Sequence, residues 1–228
     1  MKFIIGNWKM NGNLTEKESV LKSLKTIKTK NKIVLCLPFT LIPGDNHGIS
    51  IGAQDVSNHP DGAYTGDISA SMLKNAYTEY VIVGHSERRL YHNETNALVK
   101  GKATQAIKNG IIPIVCVGET MEEKNAGHTI PVIKKMLLES IPDNGEYIVA
   151  YEPRWAIGTG LTPTENEIVT AVKAVFDTLP TPMPIIYGGS VNIDNARDII
   201  SIPYVDGLLI GGASLKTDTF LPIIKSIE

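Results

Sequence analysis

Apolar residues recur along this chain in short, unbroken runs that are rich in β-branched side chains. Because neighbouring positions within each run are all apolar, the runs are typical of strands covered on both faces, as in a parallel sheet. We interpret them as eight strands. The runs are residues 3–6, 33–37, 49–53, 80–84, 111–117, 147–151, 184–187 and 207–210.

Longer stretches with helical spacing lie between most of these runs. Residues 15–29 and 95–109 are two of them, and the second ends in Asn109-Gly110, a common helix stop. Residues 15–29 carry lysines on one side and an apolar face on the other. That face consists of Val20, Leu21, Leu24 and Ile27.

A third helix is predicted over residues 164–179. Thr164 is followed three residues later by Glu167, which is the capping-box pattern of a helix start. The spacing of the apolar residues places them on one face of the helix. That face consists of Ile168, Val172, Val175, Phe176 and Leu179.

Strands that alternate with helices predict right-handed βαβ units and a parallel sheet. Eight units in 228 residues fit a closed (β/α)8 barrel, whose usual size is about 250 residues. An open doubly wound sheet is the alternative, but it typically has fewer strands and a glycine-rich first turn, whereas residues 6–9 read GNWK. No linker or low-complexity segment divides the chain, so we expect residues 1–228 to form a single barrel domain.

The second unit is shorter than the others. Only PFTLIPGDNHG, residues 38–48, lies between the second and third runs, and it contains two prolines and two glycines. These residues disfavour a helix, so the helix after the second strand is predicted to be short or absent. A helix missing here would uncover the outside of the barrel rather than its rim. We therefore expect a cost in stability and not in activity.

Composition and charge exclude several classes of protein. The formal net charge of −2 gives no reason to expect a nucleic acid or an acidic membrane surface as a partner. Cys36 and Cys116 lie inside apolar runs and read as buried thiols, which indicates a reducing compartment. The apolar run near the N-terminus is too short for a signal peptide. We therefore expect a cytoplasmic protein.

Polar residues and glycines follow the predicted strands, at the barrel end where active sites form. Each has an ordinary structural explanation, such as a solvated strand end or a tight turn. Glycine pairs after the last two strands are more telling, since barrels often hold phosphate there. No metal-ligand spacing and no nucleophile elbow is present. The residues are Asn7, Lys9, Gln54, His85, Glu87, Glu119, Glu152, Gly188-Gly189-Ser190 and Gly211-Gly212.

Seven motifs, spread in order over nearly the whole chain, resemble the triosephosphate isomerase family. The resemblance implies interconversion of dihydroxyacetone phosphate and D-glyceraldehyde 3-phosphate through an enediolate, a step of glycolysis and gluconeogenesis, without a cofactor or metal. The motifs are GNWKMN (6–11), GAQDVS (52–57), VGHSERR (83–89), CVGET (116–120), YEPRWAIGTG (151–160), YGGSV (187–191) and IGGASL (210–215).

The resemblance also implies a role for each catalytic residue. Glu152 is the base that removes a proton from the carbon beside the carbonyl group and returns it to the adjacent carbon. His85, as neutral imidazole, donates to the two oxygens in turn. Lys9 supplies positive charge and Asn7 a hydrogen bond, while Glu87 positions the catalytic groups.

For phosphate binding, the resemblance implies a closing loop and a cradle of backbone amides. The loop tip is residues 156–160, with Gly158 donating to the phosphate and Ile157 covering the base. Pro153 stiffens the hinge and Trp155 packs as an anchor, whereas Arg154 replaces the small apolar residue more common there. The cradle consists of Gly189, Ser190, Gly211 and Gly212.

Residues 57–66 form a long loop after the third run. In the family this loop inserts into a second subunit, with Thr65 approaching the neighbour's Lys9 side. The resemblance therefore implies a homodimer. A simple flexible surface loop is the alternative, although Tyr64 in an otherwise small and polar loop favours burial against another surface.

Two other readings stay open from the residues. A different phosphosugar isomerase or an aldolase could use the same barrel, but an aldolase needs a lysine inside a strand for its Schiff base, and no run has a central lysine. A non-catalytic phosphate-binding protein could keep the scaffold. It would be expected to lose Lys9, His85 or Glu152, and all three are present.

Overall fold

A computed structural model describes residues 1–157 and 161–228 of the chain. Within these residues eight parallel strands pair in chain order, and β8 pairs with β1 to close a barrel. The predicted (β/α)8 barrel is therefore confirmed. The strands are β1 Phe3–Asn7, β2 Lys32–Leu37, β3 Ser50–Ala53, β4 Tyr80–Val83, β5 Ile112–Val117, β6 Ile148–Tyr151, β7 Ile185–Tyr187 and β8 Gly207–Ile210.

Helices alternate with the strands around the outside of the barrel. Short 3₁₀ turns occupy Phe39–Leu41, Arg154–Ala156 and Gly212–Ser214. Every helix in the described part of the chain is too short or too polar to span a bilayer. The helices are α1 Leu14–Lys25, α2 Ala70–Asn75, α3 Ser86–Tyr91, α4 Asn96–Lys108, α5 Met121–Asn125, α6 Thr129–Ser140, α7 Glu165–Thr178, α8 Ala196–Ser201 and α9 Thr217–Ser226.

The predicted end of the first helix is wrong, and the apolar face predicted for α7 is only partly buried. The first helix ends at Lys25 and not at residue 29, because the chain turns at Thr26, whose N–H bonds to the carbonyls of Leu24 and Ser23. Phe176 belongs to the apolar face predicted for α7, but it is 43% exposed and packs against Tyr204 at the surface, with ring centroids 4.6 Å apart. The other four residues of that face are buried or partly buried against the core.

The core has two layers, separated by the barrel wall. Alternate residues of a strand point to opposite sides, so Ile5 lies in the inner layer and Ile4 in the layer between strands and helices. Both layers are almost fully shielded from solvent. The inner layer consists of Ile5, Val34, Cys36, Tyr80, Ile82, Ile114, Cys116, Ile148, Ala150, Ile186 and Leu209.

The second βα unit is reduced as predicted. Between β2 and β3 the described structure has one 3₁₀ turn, Phe39–Leu41, in place of a helix. The remaining connection packs on α1, where the buried Lys17 donates from Nζ to the carbonyl of Pro43 at 2.8 Å. His47 adds a contact with Glu18 of α1, at 3.0 Å from Nε2 to Oε2. These contacts tie the connection to α1.

Candidate active site

A cavity of about 230 Å³ opens at the carboxyl ends of the strands. The connections that follow β1, β4, β6, β7 and β8 all contribute to it. The described residues that the sequence nominated for catalysis and phosphate binding lie around it, and Gly158 is outside the described residues. The lining residues are Asn7, Lys9, His85, Glu152, Ile157, Gly188, Gly189, Ser190, Val191, Asn192, Leu209, Gly211 and Gly212.

Glu152 follows β6 directly, and its carboxylate is almost completely buried. Its Oε2 accepts a hydrogen bond from the N–H of Ser86 at 3.0 Å. Its Oε1 lies 3.2 Å from His85 Nε2 and has no aligned hydrogen-bond donor among the described residues. One oxygen is therefore fixed by the backbone, and the other is available at the cavity.

Two glycines leave room for Glu152. A Cβ on Gly118 would lie 1.8 Å from the carbonyl oxygen of Glu152, and a Cβ on Gly188 would lie 2.9 Å from its Cγ. Both distances are shorter than the van der Waals contacts that Cβ atoms make in proteins. The position of the carboxylate therefore depends on the absence of two side chains, one after β5 and one after β7.

His85 caps the N-terminus of α3. Its Nδ1 accepts from the N–H of Glu87 at 3.2 Å, so that nitrogen cannot carry a proton in this geometry. The ring is then the neutral tautomer with its proton on Nε2, the nitrogen that faces Glu152. An imidazole in this state can donate one proton into the cavity.

Lys9 reaches the cavity from a strained backbone. Its φ is +52°, in the left-handed region, and its N–H donates to the side-chain oxygen of Asn7 at 3.0 Å. Lys9 Nζ is 2.6 Å from Glu87 Oε1. Asn7 therefore fixes the turn that presents the lysine, and Glu87 holds the ammonium group at the cavity.

Backbone turns form the opposite side of the cavity. Gly188, Gly189 and Ser190 follow β7, and Gly211 and Gly212 follow β8, where a 3₁₀ turn begins. Ser190 Oγ donates to the carbonyl of Ala156 at 2.9 Å, which ties this side to the connection after β6. Short turns of this kind present backbone N–H groups to an anion.

The connection after β6 begins with a buried tryptophan. Trp155 donates from Nε1 to Glu119 Oε1 at 2.8 Å, and the hydroxyl group of Tyr151 donates to the same carboxylate. Burial, followed by the negative charge of Glu119, raises the pKa of Tyr151. Lys124 Nζ lies over the indole ring, 3.4 Å from its centroid. Trp155 is thus fixed at its edge and on its face.

The loop of residues 57–66 lies away from the cavity of its own chain. Tyr64 is 44% exposed and stacks on His59, with centroids 4.1 Å apart. Thr65 is exposed. The loop is held at its base, where Ser57 donates to Asp67 and Ser69 donates to Asp61, each at 2.6 Å.

Sequence reasoning missed two groups that fix Glu152. The first is the N–H of Ser86, since a backbone donor carries no signal in the residue type. The second is Gly118, which lies inside the CVGET motif but has an ordinary backbone φ. Its importance comes from the approach of Glu152, 34 residues away in the chain, and no local pattern records that contact.

A parallel barrel with a buried carboxylate, a neutral imidazole and an amine on one rim defines an enzyme that transfers protons on a small anionic substrate. Comparison with known proteins identifies the family within this class. A family model described as triosephosphate isomerase matches residues 2–227. The chain therefore belongs to the triosephosphate isomerase family, and it is an isomerase.

Individual relatives agree with this assignment over nearly their whole length. The chain is 45% identical to a triosephosphate isomerase of Albidiferax ferrireducens, with 99% of this chain and 98% of that protein aligned. It is 44% identical to one of Rhodopseudomonas palustris, with 96% and 95% aligned. A crystal structure of triosephosphate isomerase from Bartonella henselae superposes with a TM-score of 0.88 at 35% identity, covering 99% of this chain and 98% of that one.

Proposed function

We propose that this chain interconverts dihydroxyacetone phosphate and D-glyceraldehyde 3-phosphate, with Glu152 as base and His85 as proton donor. What supports these roles is the distance of 3.2 Å between Glu152 Oε1 and His85 Nε2, at a cavity that Lys9 also lines. A carboxylate and a neutral imidazole so placed can act on adjacent atoms of one small substrate.

The reaction needs two proton transfers on carbon and two on oxygen. Glu152 takes a proton from C1 of dihydroxyacetone phosphate, and the C2 oxygen receives the proton of His85 Nε2. The nitrogen then recovers a proton from the hydroxyl group on C1, and Glu152 returns its proton to C2. Every group ends in its starting state, so the enzyme is ready for another turnover.

Lys9 and Asn7 stabilise the negative charge that develops on the two oxygens. Lys9 is already held beside Glu87 at 2.6 Å, so its ammonium group needs little reorganisation when substrate arrives. Glu87 also donates its N–H to His85 Nδ1 and so maintains the neutral tautomer. Glu87 is a positioning residue for both groups.

The phosphate group of the substrate binds at the turns of Gly189, Ser190, Gly211 and Gly212, as the family resemblance implies. Ile157 lines the cavity beside Glu152 and limits the access of water. Exclusion of water matters because an exposed enediolate phosphate eliminates phosphate instead of regaining a proton.

Replacement of the base tests this function. Glu152→Gln keeps the shape of the side chain but removes the base, and we expect turnover to fall by several orders of magnitude, since acid–base catalysis contributes about 10²–10⁴-fold. Glu165→Gln changes an exposed glutamate of α7 and serves as the control. Rates are measured in a coupled assay with glyceraldehyde 3-phosphate. Near wild-type turnover in Glu152→Gln would reject the assignment of the base.

We also propose that the chain forms a homodimer through the loop of residues 57–66. Tyr64 and Thr65 are exposed at its tip, and Met10, beside the catalytic lysine, is 95% exposed. Apolar side chains in such positions are often covered by another subunit. Sedimentation at micromolar concentration should give about twice the chain mass of 24.8 kDa. A clean monomer would exclude this role of the loop.

The cellular location of the protein is proposed from its charge and its cysteines. We propose a cytoplasmic enzyme that acts on free triose phosphates, without a nucleic acid or membrane partner. The small net charge of −2 and the two free, buried cysteines support this setting. Fractionation of cells that produce the tagged chain checks it, and recovery in the membrane pellet would contradict it.

A further inference from the structure

The short helix α5 contains no buried residue, so its place in the fold is not explained by core packing. It begins with a complete capping box between Thr120 and Glu123. Its one lysine, Lys124, has a side chain that is 27% exposed and contacts two residues, Trp155 and Glu167. The helix therefore serves to hold this lysine in a defined position.

Lys124 contacts the first part of the β6–α7 connection. Its Nζ lies 3.4 Å from the centroid of the Trp155 ring, well inside the distance of about 6 Å at which a cation is attracted to an aromatic face. The indole N–H donates to the buried carboxylate of Glu119 at 2.8 Å. A negative partner at the edge of the ring and a positive one over its face favour the same ring orientation.

Lys124 also contacts the first turn of α7, where the same connection ends. Its Nζ is 2.8 Å from Glu167 Oε1. The other oxygen, Oε2, accepts from the N–H of Thr164 at 2.7 Å and closes the capping box of α7. The hydrogen bond from Lys124, with that from the Thr164 backbone, lowers the pKa of Glu167. One ammonium group thus joins both ends of a connection that leaves the barrel at Glu152.

We propose that Lys124 is a positioning residue for the isomerisation, because it holds the two ends of the β6–α7 connection together beside the cavity. Lys124 does not line the cavity, and it acts through the connection. Ile157 lines the cavity two residues after Trp155, and the preceding carbonyl of Ala156 accepts from Ser190. This role rests on the proposed function of the cavity.

Loss of the ammonium group should affect binding more than chemistry. Without it, the Trp155 ring and the Glu167 carboxylate each lose a contact and sample more conformations before substrate binds, and binding must then select among them. We expect Lys124→Met to raise KM about tenfold, a size in keeping with one desolvated cation–π contact and one ion pair. We expect kcat to change by less than about twofold, since Glu152, His85 and Lys9 keep their own contacts.

Three further variants separate positioning from a general loss of stability. Lys124→Arg keeps the cation and should restore the wild-type KM. Lys173→Met removes an exposed lysine that pairs with Asp177 on α7, away from the connection, and should leave KM unchanged. Glu167→Gln should raise KM by itself and add little to Lys124→Met, because both changes break the same link. Lys124→Gln replaces Lys124→Met if that variant folds poorly.

Hydrogen exchange distinguishes failure of this role from failure of the proposed function. In Lys124→Met, amide exchange should accelerate both in residues 153–157 and in residues 164–168, and Lys124→Arg should prevent this. If wild type shows no isomerase activity yet these two segments respond together, the proposed function is wrong and the link is real. If wild type is active but Lys124→Met matches Lys173→Met in KM and in exchange, the positioning role is rejected.

Discussion

Gly118 leaves space for the backbone of Glu152 where the ends of β5 and β6 meet at the rim. A Cβ there would lie 1.8 Å from the carbonyl oxygen of Glu152 and 2.5 Å from its carbonyl carbon. Backbone atoms cannot rotate out of the way as the end of a long side chain can. A single added methyl group must therefore move the strand end that carries the base.

Gly118→Ala is predicted to lower kcat about 100-fold, because a displacement of about 1 Å at a catalytic group costs that much. Since the substrate contacts on the β7 and β8 side are unchanged, KM should change less. The coupled assay measures both constants. Wild-type kcat in a folded Gly118→Ala variant would show that the base tolerates the shift.

Gly127→Ala is the matched control for this substitution. Gly127 has φ +74°, but a Cβ there meets no atom within 4 Å. The variant should lose some stability from backbone strain, of the order of 1 kcal/mol. It should keep kcat. The pair therefore separates a steric effect on Glu152 from a general effect of replacing glycine.

At the scale of elements, a buried ion network joins α3 and α4 to the end of β3. Lys102 Nζ is 2.6 Å from Asp55 Oδ1 and contacts Glu94 Oε1, while Arg88 contacts both carboxylates, at 2.7 and 2.6 Å. Lys102 and Glu94 are each 5% exposed. Removal of one partner from such a network leaves a buried charge without its counterpart.

The two carboxylates of this network respond to folding in opposite directions. Burial alone would raise the pKa of Glu94, but hydrogen bonds from Lys102 and Arg88 outweigh it and the pKa is lowered. For Asp55 burial prevails over Lys102, and its pKa is raised. Ionised Glu94 therefore stabilises the fold at neutral pH, and ionised Asp55 opposes it.

Glu94→Gln is predicted to lower the free energy of unfolding by about 3 kcal/mol at pH 7. A lowered pKa contributes stability that is present above the unfolded value, about 4.3, and is lost as pH falls through the folded value. The difference between wild type and variant should therefore shrink below about pH 4. Urea titrations between pH 7 and pH 3 measure it, with the exposed Glu146→Gln as control. A difference that grows on acidification would contradict this sign.

The helices and strands also show which structural features the sequence pattern predicts and which it does not. Three features of the fold depend on local sequence: the strands, the capping box of α7, and the absence of a helix between β2 and β3. They are predicted by the β-branched runs, by Thr164 with Glu167, and by the prolines of residues 38–48, respectively. Phe176 fits the helical spacing equally well but lies at the surface. Spacing gives the direction of a side chain around its helix, whereas contacts with other parts of the fold decide which of those side chains are buried.

The candidate site, like the fold, is predicted from sequence only in part. Motifs that resemble a family nominate Glu152, His85, Lys9 and the glycine turns, and these lie around one cavity. Contacts made by backbone atoms, such as Ser86 N–H with Glu152, leave no trace in residue type. Long-range contacts such as Lys124 with Trp155 and Glu167 depend on the closed barrel that brings α5 beside α7.

At the scale of the whole molecule, the barrel closes on itself and encloses its inner layer of side chains. Cys36 and Cys116 belong to this layer and are 0% and 1% exposed. Burial raises the pKa of both thiols, and the charge of Glu152 adds to the effect at Cys116. Each strand has a neighbour on both sides, so no sheet edge is available to open first.

Both cysteines should therefore react with a disulfide reagent only when the whole barrel unfolds. The thiolate is the reactive form of cysteine. In the native state the raised pKa disfavours the thiolate, and burial keeps the reagent away from the sulfur. We expect two thiols per chain to be modified in a single kinetic phase, at the rate of global unfolding measured by circular dichroism. In denaturant both should react at once. Fast modification of one thiol under native conditions would show that the barrel opens locally, with β2 or β5 leaving its neighbours before the others.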